Sequence, residues 1–252
     1  MPKTADCPTF GCNSWEFELG ASTGLSNPTK ALAPKNNQGI PAYPSRAINE
    51  KSLEGLDLEL FSSAKCARWP VFIKSGINYS RWNERMTIDE FYTEVDTVQG
   101  IISTTVSQSG DTITYIYGDI YVERDYQINK SIHYFLHRFD IPLSIVYEGF
   151  LTDNQSLQAE VGTRINFSTL ARGRIYNNDL EFSNASLPNF FRRFSGLSYF
   201  TKLHYRYYLS EQQFIGASAY FQHLPADFST STNQIEQRYL NYGLGVYNCM
   251  RF

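Results

Sequence analysis

The stretch LQAEVGTRINF, Leu157 to Phe167, keeps a two-residue beat. Leu157, Ala159, Val161, Ile165 and Phe167 share one side, opposite Gln158, Glu160, Gly162, Arg164 and Asn166. A β-strand sends successive side chains to opposite faces, so this segment reads as a strand with one apolar face. The other face carries charges of both signs beside glycine. In a soluble barrel the apolar face would line the interior and the charges would meet water. In a membrane barrel the assignment is reversed. Which face is inside decides the fold.

The same alternation recurs along the chain. Trp15, Phe17, Leu19 and Ala21 oppose Glu16, Glu18 and Gly20, and Leu56, Leu58 and Leu60 oppose Asp57, Glu59 and Phe61. Val71, Ile73, Ile77 and Tyr79 share a face, as do Phe139, Ile141, Leu143, Ile145 and Tyr147. Leu197, Tyr199, Leu203, Tyr205 and Tyr207 oppose Lys202, His204 and Arg206. Ile215, Ala217, Ala219 and Phe221 form a further apolar row. The chain ends on YLNYGLGVYNCMRF, Tyr239 to Phe252, with Leu240, Tyr242, Leu244, Val246, Met250 and Phe252 on one side and Asn248 an amide among them. These segments predict eight strands.

The intervals alternate between long (25–53, about 83–132, about 170–195, 223–236) and tight (near 67–70, 152–156 and 210–212). Short turns at one end and long loops at the other mark an outer-membrane barrel. The expected fold is therefore an all-β, eight-stranded, antiparallel up-and-down transmembrane β-barrel over residues 14–252. It has short periplasmic turns and long extracellular loops, and residues 1–13 form an N-terminal periplasmic segment. The charged face then lines a narrow lumen, where Glu16, Glu18, Asp57, Glu59, Glu160, Arg164, Lys202 and Arg206 are expected to form an interior salt-bridge network.

Composition agrees. Tyr and Phe each number 18, and 19% of residues are charged. A mean hydropathy of -0.36 is compatible with a membrane barrel, because only alternate residues face lipid. A net charge of -3 without a basic stripe argues against a nucleic-acid partner. The first residues, MPKTADCPTFGC, lack the apolar centre of a signal peptide.

Candidate chemistry is sparse. His133, His137 and His223 fall near the outer ends of strands, His204 faces the charged side, and Asp140 follows His137 closely. An outer-rim His with an acid and a Ser suits hydrolysis. No GxSxG, HExxH or zinc-spaced cysteine pair accompanies them, so no catalytic residue, metal or cofactor is assigned. NFFRRFSG, Asn189 to Gly196, places Arg192 and Arg193 among Phe190, Phe191 and Phe194. It reads either as a contact to lipopolysaccharide phosphates or as an aromatic girdle with snorkelling arginines. Residues 101–122 read as a hairpin turning at Ser109-Gly110-Asp111, and two additional barrel strands are the alternative.

Cys7, Cys12, Cys66 and Cys249 all fall at the periplasmic end of this topology and are disulfide candidates. Cys66 and Cys249 flank the first strand, roughly 9.5 Å apart and beyond disulfide reach. Each is expected to pair with an N-terminal cysteine, with four free thiols as the alternative.

FDIPLSIVYEGF (Phe139 to Phe150), LQAEVGTRINF and LNYGLGVYNCMRF together resemble small outer-membrane barrels of the porin superfamily, in particular the PorT-like branch and the eight-stranded OmpA and OmpX form. The resemblance implies a bacterial outer-membrane location and a C-terminal Phe252 read by the barrel-assembly machinery. It also implies a place in a larger envelope assembly with other envelope proteins. An eight-stranded barrel is wide enough only for its own side chains. The expected function is thus a structural or binding role through the outer loops, with outer-membrane lipids and lipopolysaccharide as partners and no open diffusion pore. The alternatives are a soluble lipocalin-like ligand-binding barrel and a barrel-embedded lipid or peptide hydrolase.

Overall fold

The computed structural model describes residues 15–35, 47–66, 70–176, 182–185, 191–225, 227–230 and 235–252. The proposed segment 1–13, with Cys7 and Cys12, lies outside them. The described chain is nearly all β: β1 (Trp15–Pro34), β2 (Glu50–Cys66), β3 (Val71–Val106), β4 (Thr112–Thr152), β5 (Gln155–Tyr176), β6 (Phe182–Asn184), β7 (Leu197–Tyr208), β8 (Gln213–Leu224) and β9 (Ile235–Arg251).

The strand order is β4-β3-β2-β1-β9-β8-β7-β5-β6, and β4 also pairs with β5. That last pairing closes eight strands into a ring. β6 is a three-residue strip paired with the far end of β5. First and last strands meet in an antiparallel ladder from Glu18↔Arg251 to Pro34↔Ile235. At its foot Phe17 and Phe252 exchange backbone hydrogen bonds of 3.2 and 2.8 Å. At this end β2 and β3, β4 and β5, and β7 and β8 stop within a few residues of one another, whereas the strand ends at the other side are further apart in sequence.

The faces are inside out relative to a soluble protein. Glu18 is fully buried, whereas Leu60 is 67% and Leu244 69% exposed. Leu157, Val161 and Ile165 point outward, while Gln158, Glu160 and Arg164 are enclosed. An interior carrying this many charges has no room for an apolar ligand, which removes the lipocalin-like alternative.

A narrow ring must also fit its large inward side chains. Glycines opposite aromatic residues make the space. Gly20 pairs with Phe61, Gly55 with Trp82, Gly216 with Tyr247 and Gly243 with Tyr220. In each pair the aromatic ring covers the glycine, and a Cβ there would collide with it. Gly20, Gly216 and Gly243 thus let three rings lie flat against the wall, as in the aromatic rescue of strand glycines.

The hairpin read within 83–132 is present, but its arms are longer than the sequence reading made them. β3 and β4 run on as unbroken strands to a turn at 107–111. Ser107 donates to the Asp111 carbonyl at 2.8 Å, Gly110 donates back to Ser107 at 3.0 Å, and Gly110 takes the left-handed φ of 93° that the turn needs. Residues Thr87–Ser131 form a compact unit of their own, distinct from Met1–Met86 with Ile132–Phe252. Within it, polar rungs cross between the arms: Thr93–Asp125 (2.7 Å), Gln127–Asp89 (2.9 Å) and Arg124–Asp96 (3.2 Å). Ile101 to Val106 are exposed at every position, so this arm has no lipid side. The ring keeps eight strands.

Candidate functional site

The barrel interior is built in ionic layers. Nearest the tight-turn end, Arg206 of β7 grips Glu18 of β1 with both terminal guanidinium nitrogens, at 3.1 and 3.0 Å. Arg251 joins the same carboxylate at 2.8 Å, and Ser63 donates to it at 3.1 Å. Beside it Glu148 of β4 accepts from Tyr208 (2.7 Å), Ser156 (2.8 Å) and Gln158 (3.1 Å) and faces Lys65 at 3.8 Å. Glu16, at the edge, pairs with Lys65 at 3.2 Å.

The middle layer centres on two carboxylates sharing cations. Glu59 contacts Lys202 (2.5 Å), Lys74 (2.9 Å) and Arg164 (3.6 Å). Glu160 contacts His204 (2.7 Å) and Lys74 (3.1 Å) and accepts from Ser144 at 2.6 Å. Asp57 accepts from Ser80 and Tyr220, and Arg164 approaches it at 3.9 Å while donating to Gln222 at 3.0 Å. Aromatic faces complete the packing, with Lys74 over Phe61 and Arg206 over Phe214, both at 4.1 Å. The space left between Lys74, Glu160, His204 and Arg206 is a cavity of about 10 Å³, room for one water.

Higher up, Arg138 pairs with Asp140 at 3.1 Å and lies 4.8 Å from the Trp82 ring. Lys30 bridges Glu50 and Glu84, the latter at 2.9 Å, and donates to Tyr134 at 2.6 Å. Lys30, Glu50 and Glu84 were missed in sequence because the outer ends of β1, β2 and β3 extend past their clean apolar alternation, whereas Arg138 and Asp140 follow the beat of β4.

Packed among these ion pairs at the outer end is an apolar cluster that includes Trp82, Tyr134, Leu136, Phe191, Phe228 and Tyr239. Phe228 packs 4.9 Å from Tyr239 and 6.2 Å from Trp82. Two connections are pinned together to deliver Phe191 and Phe228. Phe191 bridges Ser229, Arg192 donates its backbone N–H to Phe228 at 2.8 Å, and its Nε donates to the Ser229 carbonyl at 2.8 Å. Asp227 holds the inner turn, accepting from the backbone of Ser229 and Gln237, both at 2.9 Å, and pairing with Lys35 at 2.8 Å. Partial burial pushes its carboxyl pKa up, but Lys35 and these donors outweigh that and hold it below the usual value.

Several sequence-assigned residues end up elsewhere. Phe190 lies outside the described residues. Phe191 turns into the mouth rather than out to lipid, because the bridge to Ser229 draws it inward. Arg192 and Arg193 stay exposed. The histidine–acid grouping is not assembled: Asp140 faces the lumen, where Asn166 donates to it at 2.7 Å, while His133, His137 and His223 face outward. Cys66 is disulfide-bonded. Cys249, counted among the disulfide candidates, is a free thiol, because its inward position packs it with Phe61, Phe214 and Tyr247.

A closed antiparallel ring with an apolar exterior and a hydrogen-bonded, ionised interior satisfies the backbone in lipid without exposed edges. The chain has the architecture of a transmembrane β-barrel of the outer-membrane type.

No protein-family model and no curated protein matches the chain. Among solved structures it is similar to the outer membrane protein OprG from Pseudomonas aeruginosa, at 10% identity and a TM-score of 0.46, covering 94% of this chain and 95% of that one. It is also similar to Neisserial surface protein A, at 9% and 0.35, covering 92% and 96%. The outer membrane protease OmpT from Escherichia coli aligns at 9% and 0.33, covering 98% and 99%.

Proposed function

We propose that this barrel is a closed, non-conducting scaffold that works through its extracellular surface as a structural or binding protein. The filled lumen carries the reading. Charged side chains bridge it from wall to wall, the space between Lys74, Glu160, His204 and Arg206 is about 10 Å³, and an aromatic cluster packs its outer end. Partners would then meet the outer connections and the Thr87–Ser131 hairpin, where ordered loops on a rigid frame usually bind. Outer-leaflet lipopolysaccharide is one such partner, with the exposed Arg192 and Arg193 offered to its phosphates, and other envelope proteins are a second. The barrel-assembly machinery would read the C-terminal strand ending at Phe252.

Planar bilayers test the reading. Purified wild-type protein should insert and give no steady conductance. A large, well-defined conductance would show an open lumen and replace the scaffold with a porin.

A further inference from the structure

The outward face of β3, β4 and β5 changes character at one height. Along β3 the outward residues Val71, Ile73, Ile77 and Tyr79 are followed by Arg81 and Arg85. Nine residues from Val71 to Tyr79, on strands tilted by about 40°, rise ~20 Å, close to the ~25 Å apolar band of such barrels. Arg81 therefore lies where lipid headgroups begin, at the long-connection end.

Neighbouring strands bring more positive charge to that level. The Arg81 guanidinium lies 4.4 Å over the Phe135 ring of β4, and Phe135 pairs directly with Arg172 of β5. Phe135 thus sits between two exposed arginines. Below it, His137 shares a hydrogen bond of 2.8 Å with the Tyr79 hydroxyl. Arg85 and Arg174 extend the patch upward, both exposed. Among the described residues, no carboxylate pairs with any of the four arginines. The outward carboxylate of β2, Glu54, instead accepts from Asn83 at 3.3 Å. The opposite wall differs: its outward Arg238 is neutralised by Glu236 at 2.6 Å.

Unpaired guanidinium groups in a fork geometry, stacked on an aromatic ring just above a lipid-facing surface, match a phosphate attached to acyl chains. We infer that Arg81 and Arg172, flanking Phe135 on the outer rim, bind the phosphate of a phosphorylated lipid of the outer leaflet. Tyr79, Phe139 and Phe167, which pack in series just beneath at 5.2 and 6.0 Å, would lie along its sugar or first acyl carbons. This commits to a membrane lipid rather than free phosphate. It rests on the membrane-barrel reading and assigns a site separate from Arg192 and Arg193.

The test uses the full chain folded in detergent micelles, titrated with bis-phosphorylated lipid A, the same lipid after phosphate removal, and inorganic phosphate. Wild-type protein should bind the phosphorylated lipid best and gain thermal stability from it, and inorganic phosphate should give no protection. R81Q/R172Q should weaken that binding by about tenfold or more, the loss of a charge-assisted contact. R81K/R172K, keeping charge without the fork, should fall between. Unliganded variants should melt as wild type does, because both side chains are exposed. Equal binding by R81Q/R172Q, equal binding of the phosphate-free lipid, or equal protection by inorganic phosphate would overturn the site. Heat-dependent gel mobility of the folded barrel checks the underlying reading separately. A chain that never shows it in micelles or vesicles would overturn the membrane assignment as well.

Discussion

Arg206 and Glu18, 188 residues apart in the chain, meet across the lumen in a two-pronged ion pair of 3.1 and 3.0 Å. Glu18 also holds Arg251, so one carboxylate ties β7, β1 and β9 together. A buried pair of this kind adds little over well-packed apolar residues, because both charges lose water. Its consequence is asymmetric. Once the barrel has closed around the charges, removing either leaves the other short of a partner: Glu18 keeps Arg251 and Ser63, and Arg206 keeps Glu148 at 3.5 Å.

Arg206→Ala should therefore destabilise the folded barrel by about 1.5–3 kcal/mol, the loss of a charged hydrogen bond, and Arg206→Lys by less, since a lysine keeps the charge and loses the fork. Glu160→Ala should fall in the same range, because Lys74 and His204 lose their shared acceptor. Urea unfolding in vesicles, followed by gel mobility, measures both. Wild-type stability for Arg206→Ala would mean that the network is not a strong constraint.

Gly20 and Phe61 should behave as a coupled pair. A methyl at Gly20 meets the Phe61 ring and, at 2.9 Å, the Asn248 carbonyl. Gly20→Ala should cost about 1–3 kcal/mol by overpacking. Combined with Phe61→Ala, the two effects should fall short of their sum, and a double-mutant cycle reads the difference. Strict additivity would indicate that the ring does not need the space.

The outer cap should loosen in acid. The Asp227 carboxyl titrates below its unfolded value, so its support is present above the ordinary aspartate pKa and is lost as pH falls through the lower folded value. Hydrogen exchange at the Ser229 and Gln237 amides should rise across that window while the barrel ladders stay protected. Asp227→Asn should remove the pH dependence and expose the same amides at neutral pH.

Phe252 should matter to assembly more than to the finished fold. Its side chain is 69% exposed, and its fold contact is the backbone exchange with Phe17. Phe252→Ser should leave the unfolding midpoint of refolded protein within about 0.5 kcal/mol of wild type, as for other surface changes. In cells it should lower the fraction of folded barrel in the outer membrane. Equal losses in both measurements would point to a stability role instead.

The strands that alternate cleanly were legible because parity alone assigns a face. From Leu157 to Phe167 every residue falls on the side that the two-residue beat dictates, and the same holds from Leu197 to Tyr207. The hairpin turn at Gly110 was legible from turn chemistry. The length of β3 was not, because its outer half is exposed on both faces and loses the pattern. Lys30, Glu50 and Glu84 escaped for a related reason: Asn27 and Thr29 replace apolar residues on the outward side of β1 just before the cluster. Cys249 shows the limit of parity, which places it inward but does not show that Phe61, Phe214 and Tyr247 enclose it.

By itself the sequence determined the number of barrel strands and, where they alternate cleanly, their inward faces and the charges on them, because local alternation encodes all three. Only the tertiary structure decided which charge meets which. Glu18 could have faced Lys202 or Arg206 until closure of β1 on β9 and the stagger around the ring set their relative heights. The direction of Phe191 was likewise settled by a bridge to Ser229, a residue on another connection. Pairing across a lumen depends on geometry summed over all eight strands, and no single segment carries that sum.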